Sequence, residues 1–188
     1  DDDPAIHADC GAIMNMLGRP QESEAACRHV IDLEPDHIEA YNNLSVALSL
    51  QDRHEEALEV CDAALERRPE YVDTLVNKAN LLVKMDDPVA GIEVFATAIA
   101  VAPENPLARV NLGTALRLVG ELDAAEDQCR EGIALRPNYP EAHAGLGMVL
   151  AARGDFEGAI AAFLKALKLR PGFSAAQLNL AAAQFKTG

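Results

Sequence analysis

The chain has 188 residues, 49% of them hydrophobic, and 30 acidic against 16 basic side chains give it a net charge of -14. A chain of this size buries a real core in one or two domains, while its negative field repels phosphate backbones, disfavouring nucleic acid and favouring a neutral or basic protein or peptide. No apolar run approaches the roughly 18 residues of a membrane span, and the first residues, DDDPAIHADC, are acidic where a secretory leader is basic, so a cytoplasmic location is expected.

The opening DDD reads as the trimmed start of a longer chain, from which an upstream targeting segment could have been removed. Arginine supplies 11 of the 16 basic residues and alanine is abundant, a usage that points to a bacterium with a GC-rich genome.

The stretch AYNNLSVAL, residues 40–48, has helical apolar spacing interrupted by two asparagines, which are mediocre helix formers. The oddity recurs. Asn43 is followed at intervals of 34 by Asn77 and Asn111 and, past Gly145, by Asn179, and Pro35, Pro69, Pro103, Pro137 and Pro171 keep the same interval. Repetition of this period defines units of about 4–37, 38–71, 72–105, 106–139 and 140–173, with a partial unit 174–188, within a single domain.

Each unit reads as two helices of about 13 residues. In the first three units the break falls at Gly18, Asp52 and Asp86, and in the next two at Gly120 and Gly154, a column where a residue with positive φ would close the first helix. After Asp86, Asp87 can cap the second helix and Pro88 can occupy its first turn. In the fifth unit Ala142, Leu146, Met148 or Val149, and Leu150 form one apolar stripe, and Phe156, Ala159, Ile160, Phe163, Ala166, Leu167 and Leu169 form the other. The sixth unit stops at Gly188, in the same column as Gly154. Its helix SAAQLNLAAAQF, residues 174–185, would show Leu178 or Leu180, Ala181 and Phe185 to water, so a longer natural chain or a homo-oligomer formed through this open helix is expected.

Small residues recur where helices would meet. Gly11, Ser45, Ala79, Gly113, Gly147 and Ala181 form one column, and Ser23, Ala57, Gly91, Ala125 and Ala159 another. Cys27, Cys61 and Cys129 lie eight residues before repeat prolines, where Phe95 and Phe163 stand in other units, so cysteine fills a core position. Equivalent positions on neighbouring helices lie about 8 to 10 Å apart, beyond disulfide reach. Cys10 and Cys27 are the one pair that could touch within a repeat.

The fifth unit, with His143, Leu146, Gly147, Leu150, Ala159, Phe163 and Pro171, and the fourth, with Arg109, Leu112, Gly113, Leu116, Ala125, Cys129 and Pro137, resemble the W-x2-L-G-x2-Y, A-x3-F, P pattern of the tetratricopeptide repeat family. The resemblance covers nearly the whole chain and implies an all-α, right-handed superhelical solenoid of antiparallel helix pairs, five units plus one terminal helix, with the first helices lining a concave groove. Lys78 in an apolar column, and Gly91 and Gly132 within helices, depart from the pattern and lead one to expect looser packing in the third and fourth units.

Function is then expected on one face of the first helices. That face carries Glu39, Asn42, Asn43, Val46 and Leu50, then Asp73, Val76, Asn77, Asn80 and Lys84, then Leu107, Val110, Asn111, Thr114 and Leu118. The last units offer Glu141, Ala144, Gly145, Met148 and Ala152, and then Ala175, Leu178, Asn179, Ala182 and Lys186. An asparagine side chain can pair with both the C=O and the N–H of an extended peptide, and helices about 10 Å apart would meet a strand about every three residues. Such a ladder would use Asn42, Asn43, Asn77, Asn80, Asn111 and Asn179, with Val46, Val76 and Val110 as apolar pockets and Glu39, Asp73 and Glu141 favouring a neutral or basic ligand. The alternative is that the asparagines satisfy the neighbouring repeat or solvent. The ladder is similar to that of the repeat arm of O-linked N-acetylglucosamine transferases, though no glycosyltransferase domain is present in these residues. A clamp for the C-terminal carboxylate of chaperone tails, another mode of the family, is disfavoured because the face offers only Lys84, Lys186 and Arg117 against Asp9, Glu39, Asp73 and Glu141.

His7, His29, His37, His54 and His143 lack metal-ligand spacing and read as packing or surface residues. HEEALE, residues 54–59, lacks the second histidine of a zinc protease motif and is a helix start. No catalytic constellation, metal site or cofactor is expected, although a catalytic domain could lie outside these residues. Three functions remain: an interaction scaffold gripping an extended segment, the substrate-presenting arm of a larger enzyme such as a glycosyltransferase, and a self-assembling structural module.

Overall fold

The computed structural model describes residues 4–187, with side chains described from residue 8. The sequence readings made on DDD, on Gly188 and on the side chain of His7 lie outside the described residues. Among the described residues the protein is all-α. Its helices are α1 (Pro4–Met16), α2 (Pro20–Leu33), α3 (Ile38–Ser49), α4 (His54–Arg67), α5 (Val72–Lys84), α6 (Pro88–Val101), α7 (Pro106–Leu118), α8 (Leu122–Leu135), α9 (Pro140–Arg153), α10 (Phe156–Leu169) and α11 (Ser174–Thr187).

The chain divides into two compact units, one running to Val94 and one from Phe95. In the first, α1 pairs with α2 and α3 with α4, and α1, α3 and α5 lie side by side in turn. In the second, α7 pairs with α8 and α9 with α10, α11 covers α10, and α7 and α9 are neighbours. Among the described residues no helix is long and apolar enough to cross a membrane.

The turn within each hairpin uses the column read from sequence. Gly154 closes α9 with φ 88°, and Asp52 and Asp86 adopt the same left-handed region at 59° and 65°. Aspartate tolerates that region better than bulky residues do. Asp87 Oδ1 accepts from Ala90 N at 3.0 Å, capping α6 as expected. The same service is given by Asn105 to α7 and by Asp155 to α10.

Close approach of helices explains the small columns. A Cβ on Gly147 would stand 2.6 Å from Cε1 of Phe163, and one on Gly113 would stand 2.8 Å from Cys129 Sγ and 2.9 Å from Ala125 O. Gly91 and Gly132 follow the same rule. Added Cβ atoms there would lie 2.7 Å from Val83 Cγ2 and from Val110 Cγ2 respectively, so these glycines mark tight packing, correcting the expectation of looseness. Lys78 is accommodated by an ion pair of 2.6 Å with Asp62.

All four cysteines are free thiols. Cys27, Cys61 and Cys129 are fully buried, and burial pushes their thiols up to about 11, 11 and 12, which leaves them protonated and inert at neutral pH. Cys10 and Cys27 form no bridge.

A further column acts through the loops. Tyr41 Oη donates to Pro35 O at 3.0 Å, Arg109 Nε to Pro103 O at 3.0 Å, His143 Nε2 to Pro137 O at 2.9 Å and Gln177 Nε2 to Pro171 O at 2.9 Å. Each reaches back six residues to the carbonyl of the repeat proline, an acceptor just beyond the helix end, and Pro35 O also accepts from Arg67 Nε at 3.0 Å. Four different side chains thus perform one task.

Between hairpins of the first unit, Glu24 accepts from Gln51 Nε2 at 2.9 Å and from Arg53 Nη1 at 2.7 Å, and pairs with Arg28. Burial works to raise this carboxyl, but the bonds from Gln51, Arg28 and Arg53 outweigh it and hold Glu24 below the ordinary carboxylate range.

Candidate functional site

The first-helix face is built around amides that are already engaged. In the first unit Asn43 Nδ2 donates to Ala8 O at 3.2 Å, and Asn15 Nδ2 donates back to Asn43 O at 2.9 Å. One repeat later Asn77 Nδ2 donates to Asn42 Oδ1 at 2.8 Å, and the buried Thr74 hydroxyl donates to the same oxygen at 3.2 Å. Both of these asparagines therefore reach the preceding first helix. The bonds offset the poor helix propensity that marks AYNNLSVAL.

The amides keep unused capacity. No hydrogen bond among the described residues takes the Oδ1 of Asn43 or Asn77, and these two groups, half-buried on α3 and α5, remain acceptors for a backbone N–H. Asn111 on α7 and Asn80 on α5 are also half-buried.

The valines separate into two roles. Val46 is half-buried and lines an open pocket, whereas Val76 and Val110 are 2% and 3% exposed. These two belong to the core, not to the open face assigned to them from spacing; a Cβ added to Gly145 of α9 would stand 3.5 Å from Val110 Cγ1.

The carboxylates are largely paired. Glu141 accepts from Arg170 Nη1 at 2.7 Å, and Glu39 lies 3.8 Å from Arg68. Asp73 is exposed at the start of α5. His37 caps α3, its Nδ1 accepting from Ala40 N at 3.3 Å.

Each unit holds a pocket on this face. In the first, a pocket of about 370 Å³ lies between α3 and α5, with Val46, Leu50 and Leu81 as apolar walls and Asn77, Asn80 and Lys84 on its polar side. In the second, one of about 400 Å³ lies among α7, α9 and α11, walled by Met148, Ala152 and Ala183, with Arg117, Asn179 and Lys186 on its polar side. The spacing argument placed Lys84, Lys186 and Arg117 on this face but not their convergence with asparagine in a cavity. Among the described residues no group of histidines, cysteines and carboxylates is arranged to hold a metal ion.

Family models describing tetratricopeptide repeats match residues 15–81 and 76–140, and a TPR repeat model matches residues 147–188. No curated protein matches the sequence. Among solved structures, TTC0263, a thermophilic TPR protein of Thermus thermophilus, superposes with a TM-score of 0.87 at 21% identity, covering 97% of this chain and 100% of that one. YrrB, described as a TPR protein with an unusual peptide-binding site, gives 0.65 at 20% identity over 94% of this chain and 91% of its own. A chain of the APC/C hetero-tetramer Cut9-Hcn1 gives 0.86 at 18% identity, covering 94% of this chain and 35% of that chain. At such identities the likeness is one of fold.

Proposed function

Because the chain belongs to the tetratricopeptide repeat family, we propose that it is a protein-interaction scaffold whose first-helix face receives an extended segment of a partner protein. The observation that carries this reading is the pair of pockets on that face, each combining apolar walls with an amide. A similar fold in YrrB serves peptide binding. Asn43 and Asn77 would each accept one backbone N–H of the segment, for about 0.5 to 1.5 kcal/mol apiece. Exposed Leu50, Leu107 and Leu118 would supply apolar burial beyond the pockets, at about 25 cal/mol per Å². Glu141 pairs with Arg170 and Glu39 lies beside Arg68, so the carboxylates of this face do not call for a basic segment.

A peptide array probed with the parent and with a Leu50→Glu, Leu107→Glu variant tests the reading. Both leucines are exposed, at 51% and 42%, so thermal unfolding should stay unchanged while binding weakens about tenfold or more. Leu164→Glu, on the outer helix α10 and 51% exposed, should bind as the parent does. Equal losses from both faces, or no loss from the inner one, would remove the groove from consideration.

A second reading, self-association, is favoured by α11, on which Leu178 is 73% and Phe185 84% exposed. Leu180, by contrast, packs against the core of the second unit and is a poor probe. The apparent mass from light scattering should rise across a concentration series for the parent and stay monomeric for Leu178→Glu, Phe185→Glu. A parent that is monomeric at all concentrations counts against it.

A further inference from the structure

The two first-helix pockets are related by sequence register. Asn77, Leu81 and Lys84 of the first correspond, three 34-residue repeats later, to Asn179, Ala183 and Lys186 of the second, and Val46 and Leu50 correspond to Met148 and Ala152. An asparagine and a lysine two turns apart on one helix, facing an apolar wall on the preceding first helix, thus occur twice.

In this strongly acidic chain most arginines are neutralised, whereas among the described residues the cations of these pockets, like Arg136, Lys165 and Lys168 elsewhere, are not. Arg19, Arg28, Arg53, Arg109, Arg153 and Arg170 each pair with a carboxylate. Lys84 Nζ instead donates to the hydroxyl of Ser49 at 3.1 Å. Among the described residues no carboxylate pairs with Lys84, Lys186 or Arg117. Arg117 lines the second pocket as a further cation.

From this geometry we infer that each pocket binds an internal acidic side chain of the partner segment, its carboxylate on the lysine and its aliphatic neighbour against the apolar wall. Asn77 and Asn179 then hold the backbone beside that carboxylate. The inference rests on the groove reading above and adds its chemistry. The negative field of the whole chain opposes anionic ligands at long range, so recognition here is local, made by a short pair against a low-dielectric wall. Recognition of a side chain, not of a chain end, means that a blocked C-terminus is no obstacle.

The test is a titration, followed by amide NMR, with an acetylated and amidated pentapeptide carrying glutamate between leucines, compared with its glutamine and lysine analogues. The glutamate peptide should shift the amides of Val46, Asn77 and Leu81 and those of Met148, Asn179 and Ala183, and bind about fivefold more tightly than the lysine analogue, the scale of one partly exposed ion pair. Lys84→Gln should erase that preference in the first set only, and Lys186→Gln in the second only. Shifts in both sets without charge preference, or a preference that survives both substitutions, would overturn the inference and leave the groove reading standing. Peptides that bind on the array yet leave both sets unshifted would overturn it also, whereas failure of the array itself would remove the groove reading beneath it.

Discussion

Phe163→Cys is expected to destabilise the second unit by about 3 kcal/mol, toward the low end of large-to-small core substitutions of phenylalanine. The ring is 1% exposed and packs with Ala144, Leu150, Ala159 and Ala176. Gly147→Ser should cost about 1 to 3 kcal/mol on its own, since the new Cβ would collide with ring atoms Cε1, Cδ1 and Cζ at 2.6, 2.8 and 2.9 Å. Together the two changes recreate the buried pair Ser45 and Cys61 of the first unit. The double variant should therefore lose less than the sum of the single losses, by about 1 to 3 kcal/mol, when urea unfolding is followed by circular dichroism. Strict additivity would mean that the small column and the Phe163 column do not act as a pair.

Asn42→Ala is expected to cost about 1 to 3 kcal/mol, because one oxygen serves two donors. Its loss strands the Thr74 hydroxyl, which is fully buried, together with the Asn77 amide. The second unit shows how the same positions can be filled without polarity, with Val110, Ala142 and Gly145 in the corresponding register. The triple change Asn42→Val, Thr74→Ala, Asn77→Ala removes all partners together, and its thermal unfolding should fall within about 1 kcal/mol of the parent. A silent Asn42→Ala would show that the network adds no net stability and would leave the amides free for a ligand.

The helices and their boundaries were legible because local rules fix them. Proline spacing, left-handed turns at Gly154 and Asp86, and the Asp87 cap are properties of a few adjacent residues. The face expected to bind was legible in part. Helical spacing placed Val46, Asn77 and Lys84 together, and they do line one pocket. The same spacing could not tell that Val76 and Val110 are buried, since periodicity gives a direction around one helix and says nothing of what lies there.

The sequence alone determined the repeat, its period, the all-α class and the positions that must be small, because each follows from residue identity at a fixed interval. Tertiary structure decided what the polar residues of those intervals do. Tyr41, Arg109, His143 and Gln177 have nothing in common except a donor at the right height, and only packing brings each onto a proline carbonyl. Likewise, an asparagine able to meet either a ligand or a neighbour is committed when the preceding first helix places Ala8 O or Asn42 Oδ1 within reach of its amide. A hydrogen bond depends on distances set between helices, and those distances are products of the assembled core, which no single stretch of sequence contains.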